Sequence, residues 1–120
     1  MSKKTVVIGA SENPQRYAYK ATIALKNNGH PVVPVGLREG VISGVKILKD
    51  KPPIDNVDTV SLYVGRQNQA FWMDYIISLK PRRVIFNPGT ANEVFEKKLK
   101  ENNIEAEHGC TLVMLSIGNY

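Results

Sequence analysis

The sequence predicts a doubly wound α/β fold on a parallel five-stranded sheet, and two observations carry that reading. Short β-branched runs alternate along the chain with segments whose apolar residues recur at helical spacing. The runs are near-continuously apolar, as strands must be when helices cover both faces of a parallel sheet. Right-handed crossovers then distribute the helices over the two faces. A chain of 120 residues has interior for one such core and little for a second, so residues 1–120 are read as a single domain.

The first strand is "TVVIG" at 5 to 9, and it runs through the turn "ASENP" into a helix. Tyr17, Ala21, Ala24 and Leu25 fall at i, i+4, i+7 and i+8, one apolar face that "NNGH" ends. The second strand is "PVVPV" at 31 to 35. From Gly36 to Val57, glycines and prolines recur and no long helical face forms, so this crossover is expected to be a short helix or an irregular loop. "DTVSLYV" at 58 to 64 is the third strand, and Met73, Ile76, Ile77 and Lys80 mark the helix before "KPRR". "RVIFN" at 83 to 87 is the fourth strand, Phe95 and Leu99 mark a more polar third helix, and "IEAEH" at 104 to 108 is a weak fifth strand. The closing "GCTLVMLSIGNY" is apolar enough to cover a sheet edge or a partner subunit, which leaves a homodimer or a loose partner subunit open.

Hydrophobic content of 42% with 22% charged residues is ordinary for a globular chain. "MSKKTVV" passes from two lysines directly into a strand without a signal-peptide core, and no apolar run approaches the roughly 20 residues that span a bilayer. A single cysteine, Cys110, has no internal disulfide partner. These features predict a cytoplasmic protein that has no membrane partner. The net charge of +5 attracts anions. The basic residues in "SKK", "PRR" and "EKKLK" are scattered and interleaved with acids, which favours a phosphorylated small molecule over nucleic acid.

In such a sheet, ligands bind outside the carboxyl ends of the strands, where the crossover direction reverses. Residues 9 to 16, 36 to 40 and 64 to 68 should converge there, with "NPGTAN" at 87 to 92 across the switch point. Gly9 permits a tight turn, Ser11 offers a hydroxyl, and the helix start offers unpaired N–H groups, a combination suited to phosphate. Pro14 reads as the first helical residue with Asn13 as its cap, and Arg16 and Lys20 place two cations on one helix face. Ser11 and Pro14 or Gln15 stand where a dinucleotide site requires glycines, so a linear NAD site is disfavoured; no G-x-x-x-x-G-K-[ST] motif appears. A plain strand-to-helix turn with solvated Arg16 and Lys20 fits the same residues.

Groups able to perform chemistry are few, and no catalytic residue and no metal site is predicted. His30 sits in "NNGHP" at the amino end of a strand, a structural position. His108 and Cys110 are two residues apart, a thiolate and base pairing in principle, but a lone cysteine in "GCTLVML" is usually a small buried hydrophobe. Glu93 is read as a helix-start contributor, Phe71 and Trp72 as packing residues.

With the rest of the chain, the first loop becomes more specific. "VVIGASENPQRYAYKATIALKNNGHPVVPV" resembles the opening of the small bacterial CoA-binding domain family, whose pattern is an apolar strand, G-x-S-x-x-P-x-R, a helix and a second strand ending near proline. That family is Rossmann-like and similar to the CoA-binding domain of the succinyl-CoA synthetase alpha subunit. "ISGVKILKDKPPIDNVDTVSLYV", "PRRVIFNPGTAN" and "GCTLVML" extend the likeness over nearly the whole chain. One departure is "VGLREG" where many relatives carry V-N-P.

The resemblance implies that Gly9, Ala10, Ser11, Glu12 and Asn13, with the backbone as far as Gln15, hold the coenzyme A pyrophosphate, with Arg16 nearby. It places Arg38 on the nucleotide phosphates, Tyr63 and Val64 on the adenine side, and Asn87, Pro88 and Gly89 beneath the pantetheine arm. The expected function is that of a stand-alone, non-catalytic CoA or acyl-CoA binding protein. Enzymes that use such a domain add a catalytic histidine or a nucleotide-binding grasp on further domains, and neither is expected here. The alternatives are an interaction module with a vestigial nucleotide site and a small NAD(P)-dependent oxidoreductase.

Overall fold

A computed structural model describes residues 2–120. Five strands form one parallel sheet: β1 (Thr5–Ile8), β2 (Val32–Val35), β5 (Thr59–Leu62), β6 (Arg83–Phe86) and β7 (Glu105–His108), in the order β2-β1-β5-β6-β7. Crossover direction reverses between β1 and β5, as the predicted doubly wound topology requires. The central strands β1, β5 and β6 are buried along their whole length, which explains why they read as uninterrupted apolar runs.

Alternation along each strand sorts the core into two layers. On one face, Val6, Ile8, Val60, Leu62, Val84 and Phe86 pack against α2 (Ala70–Ser78) and α3 (Glu93–Glu101) through residues such as Trp72, Ile76, Phe95 and Leu99. On the other face, Val7 meets Ala18 and Leu25 of α1 (Tyr17–Asn27) and Leu115 of α4 (Thr111–Ser116). The buried stripe of α2 is Trp72, Tyr75 and Ile76, while Lys80 lies past the helix end at φ +51°. Asn92 caps α3, its side chain accepting from the Phe95 N–H at 3.3 Å, and Glu93 and Glu96 in the first turn complement the helix dipole.

Three local expectations are corrected. The segment from Gly36 to Val57 is neither a helix nor wholly irregular. Gly40–Ile42 (β3) and Val45–Ile47 (β4) form an antiparallel hairpin across Ser43 and Gly44, both at positive φ, the geometry of a two-residue type I′ loop. Leu48 then bonds alongside β2 through Leu48 N–H to Pro34 O and Gly36 N–H to Leu48 O, both 2.9 Å, so the edge strand is covered. Second, α1 begins at Tyr17 with Arg16 as N-cap, not at Pro14. Ser11 Oγ accepts from Asn13 N–H at 3.1 Å, Asn13 Oδ1 from Gln15 N–H at 2.9 Å, and Asn13 O from Arg16 N–H at 3.0 Å; successive side-chain turns hold this stretch out of the helix. Third, within the closing apolar segment the helix α4 lies on the α1 face of this chain's own sheet and not along a sheet edge. No helix among the described residues is long and apolar enough to cross a membrane.

Phe95 is fully buried and meets Phe86 edge-on, ring centroids 5.7 Å apart. Phe95→Ala is expected to lower unfolding free energy by about 3–5 kcal/mol, measured as a urea midpoint shift at constant slope.

Candidate functional site

The carboxyl ends of the strands frame one crevice of about 1200 Å³, lined from the loops after β1, β2, β5 and β6. Its floor is backbone packed on backbone. Gly9 N–H and Ala10 N–H both donate to Val35 O, at 3.0 and 3.1 Å, and Tyr63 N–H donates to Ile8 O at 2.9 Å. A Cβ on Gly9, whose φ is +96°, would stand 2.9 Å from Tyr63 O, and one on Gly36 would stand 2.4 Å from Ala10 O. Neither position admits a side chain without moving a strand end.

Above this floor lie Ser11, Glu12 and Asn13 of the first loop, with Arg16 at the helix start and Arg38 from the loop after β2. Both arginines are exposed, and neither forms an ion pair among the described residues. Lys20 does not join them. It leaves the crevice lining, and its ammonium lies 5.2 Å from the Tyr17 ring centroid. The Glu12 carboxylate accepts from Val41 N–H at 2.9 Å and lies against Gly40, tying the first loop to the hairpin.

Tyr63 and Val64 line the crevice from the end of β5. The Tyr63 hydroxyl is buried and has no hydrogen-bond partner among the described residues. It lies beside Ser61 and Thr111, whose hydroxyls bond each other at 2.8 Å, and burial pushes its pKa up to about 12. Pro88 and Gly89 also line the crevice, whereas Asn87 does not. The Asn87 amide is almost fully buried: its Nδ2 donates to Ser61 Oγ and Leu62 O, each at 3.0 Å, and its Oδ1 accepts from Thr111 N–H at 2.9 Å. Asn87 is therefore corrected from a crevice contact to a clamp joining β5, β6 and the start of α4.

Two features of the site escaped the sequence reading. Gln69 looks like a loop residue in "GRQNQ" but is fully buried. Its Nε2 donates to Val64 O at 2.8 Å and Thr90 O at 2.6 Å, and its Oε1 accepts from Asn92 Nδ2 at 3.1 Å. It thereby staples the loop after β5 to the loop after β6. Phe71, read as packing, is 57% exposed and lines the crevice, while its neighbour Trp72 is buried as expected.

The histidines stand apart from the crevice. His30 Nδ1 accepts from Lys3 N–H at 2.9 Å at the amino end of the sheet, and burial, with Lys3 nearby, lowers its pKa. His108 Nε2 pairs with Glu96 Oε1 at 2.7 Å and its ring stacks on Phe86, so it is given to Glu96 and not to Cys110, the residue before α4. No cluster of metal-ligating side chains occurs among the described residues.

A family model described as a CoA binding domain matches residues 3–116. The chain belongs to the CoA-binding domain family. Among solved structures, this CoA-binding domain is similar to the crystal structure of an uncharacterized protein, at 52% identity and TM-score 0.97 over 100% of this chain and 99% of that one. A Thermus thermophilus protein shares 22% identity and TM-score 0.86, with 99% of this chain and 91% of that one covered. The dinucleotide-forming acetyl-coenzyme A synthetase 1 of Ca. Korarchaeum cryptofilum, solved with phosphate and ADP, matches at 17% identity and TM-score 0.71. That match takes in 92% of this chain and 26% of the synthetase, and at such identity it shows the shared fold alone. No curated protein matches the chain.

Two predictions follow from the buried polar groups. Asn87→Ala strips partners from Leu62 O and Thr111 N–H, and is expected to cost about 1–3 kcal/mol of stability in denaturant titration. Burial raises Tyr63 and Tyr75 from 10.0 to about 12, so the folded state favours the neutral phenols. Their contribution is complete below pH 10 and is lost as pH climbs from 10 through 12, visible as late phenolate absorbance and a falling melting temperature.

Proposed function

We propose that this domain binds coenzyme A, or an acyl-CoA, in the crevice, and that it catalyses no reaction by itself. The observation that carries the reading is the glycine floor between the ends of β1, β2 and β5, bordered by the Ser11–Arg16 loop and by two unpaired arginines. Coenzyme A is polyanionic at its nucleotide end and thin at its pantetheine end. The first suits Arg16, Arg38 and the loop's main chain; the second suits the Pro88–Gly89 turn. Charge-assisted hydrogen bonds contribute about 1.5–3 kcal/mol each, so three or four support micromolar affinity after the cost of association.

The non-catalytic part of the reading is supported by the state of the groups that could act as base or nucleophile. Glu12 is bound to the Val41 amide, burial favours the neutral Tyr63 phenol, and His108 lies outside the crevice, paired with Glu96. A general base or nucleophile needs a free, positioned atom within reach of its substrate.

Thermal shift with CoA, acetyl-CoA, NAD, NADP and ATP in parallel tests the proposal, because a ligand of the folded state raises the midpoint in a dose-dependent way. The expected result is a selective response to CoA and acetyl-CoA, with affinity falling about tenfold in Arg16→Ala or Arg38→Ala, equivalent to about 1.4 kcal/mol. A flat response to all five ligands identifies a vestigial site, and a response confined to NAD or NADP identifies a redox module.

A further inference from the structure

Two exposed aromatics line the crevice, Tyr17 and Phe71, and of the two Phe71 is the one whose ring is packed against a buried aromatic and closely capped by an ammonium. Its ring meets Trp72 edge-on at a centroid distance of 5.2 Å. The Lys51 ammonium sits 3.6 Å from the Phe71 ring centroid and donates to the Phe71 carbonyl at 2.5 Å. Lys51 is delivered there by an unusual backbone: Asp50 and Lys51 are both non-glycine residues at positive φ, +63° and +51°. The following Pro52 is anchored, its carbonyl accepting from Tyr75 Oη at 2.7 Å. Lys51 forms no ion pair among the described residues.

We propose that Phe71 is the stacking platform for the adenine ring of coenzyme A and that Lys51 receives its 3′-phosphate. The inference rests on the CoA-binding reading above and adds to it the residues that recognise the base and the ribose phosphate. A purine offers a flat π-face, and its stacking on an aromatic side chain is a recurrent source of affinity. A half-exposed ammonium over a phenyl ring is a weak contact, whereas an ammonium on a phosphate dianion is a charge-assisted one. When the nucleotide enters, the base replaces the ammonium on the Phe71 ring, and the ammonium moves to the phosphate beside it. Arg16 and Arg38 remain with the pyrophosphate.

Calorimetric titration of the full chain with CoA, dephospho-CoA and 4′-phosphopantetheine tests this assignment. Phe71→Ala is expected to weaken CoA and dephospho-CoA about tenfold or more and to leave 4′-phosphopantetheine unchanged, while Phe71→Tyr retains wild-type affinity. Lys51→Met is expected to erase the preference for CoA over dephospho-CoA. Trp72 is the chain's sole tryptophan and touches Phe71, so its emission should respond to CoA in the wild type and not in Phe71→Ala. Unliganded melting temperatures of the variants identify any loss that comes from folding. If the wild type binds CoA and Phe71→Ala binds it equally well, the platform is overturned while the function stands. If the wild type binds no CoA, both proposals fall.

Discussion

Three strand ends meet at Gly9 and Gly36 with no room for a Cβ at either. The carbonyls of Tyr63 and Ala10 occupy the space where those side chains would be, and Val35 O takes the N–H groups of both Gly9 and Ala10. The loops after β1, β2 and β5 therefore leave the sheet in fixed relative positions, set by main-chain contacts alone. The concavity framed by those loops is the crevice, with Arg16 and Arg38 exposed along it. A larger residue at either glycine would separate the strand ends, and Arg16 and Arg38 would no longer border the same space.

Two buried amides extend this frame to the other side of the switch point. Gln69 binds the loops after β5 and β6 to each other, and Asn87 binds those strands to the start of α4. An amide in the core has several hydrogen-bonding positions to satisfy, and removing it orphans its partners. Fully engaged, each acts as a directional joint that apolar packing alone does not supply. A crevice whose floor and walls are already ordered loses less conformational freedom when a ligand enters.

The strands and the location of the crevice were legible because burial on both faces leaves uninterrupted apolar runs, set off by helices with their own spacing. The first-loop motif lies at the crevice, and Gly9 takes the positive φ that its reading as a turn glycine required. The misreadings share a different cause: local signals that were short or were outcompeted. Pro14 suggested a helix start, but the side chains of Ser11 and Asn13 consume the neighbouring amides and delay the helix to Tyr17. "VISGVKI" carried a hairpin signal in Ser43–Gly44 too brief to outweigh the surrounding glycines and prolines, and α4 is too short to show periodicity. Asn87 and Gln69 are polar letters in loop-like contexts, and only the fold reveals that they are buried. Phe71 and Trp72 are adjacent, so helix geometry turns them about 100° apart; both border the crevice, but Phe71 stays 57% exposed while Trp72 is buried in the core cluster.

Net charge was readable as an attraction for anions, but its partition was not. The arginines divide by their end of the sheet. At the amino end, Arg82 pairs with Asp58 and Glu105, and the buried Arg83 is held by Glu107 at 3.0 Å, Thr59 Oγ1 at 2.9 Å and Tyr120 O at 3.1 Å. At the carboxyl end, Arg16, Arg38 and Arg66 have no ion-pair partner among the described residues. A paired cation has already satisfied its field locally, whereas an unpaired one projects into solvent. The asymmetry leaves unpaired cations at the end of the sheet where the glycine floor lies, so the field there favours anions. Shape and charge thus come from different residues: uncharged backbone makes the concavity, and exposed side chains at its rim carry the unpaired positive charge.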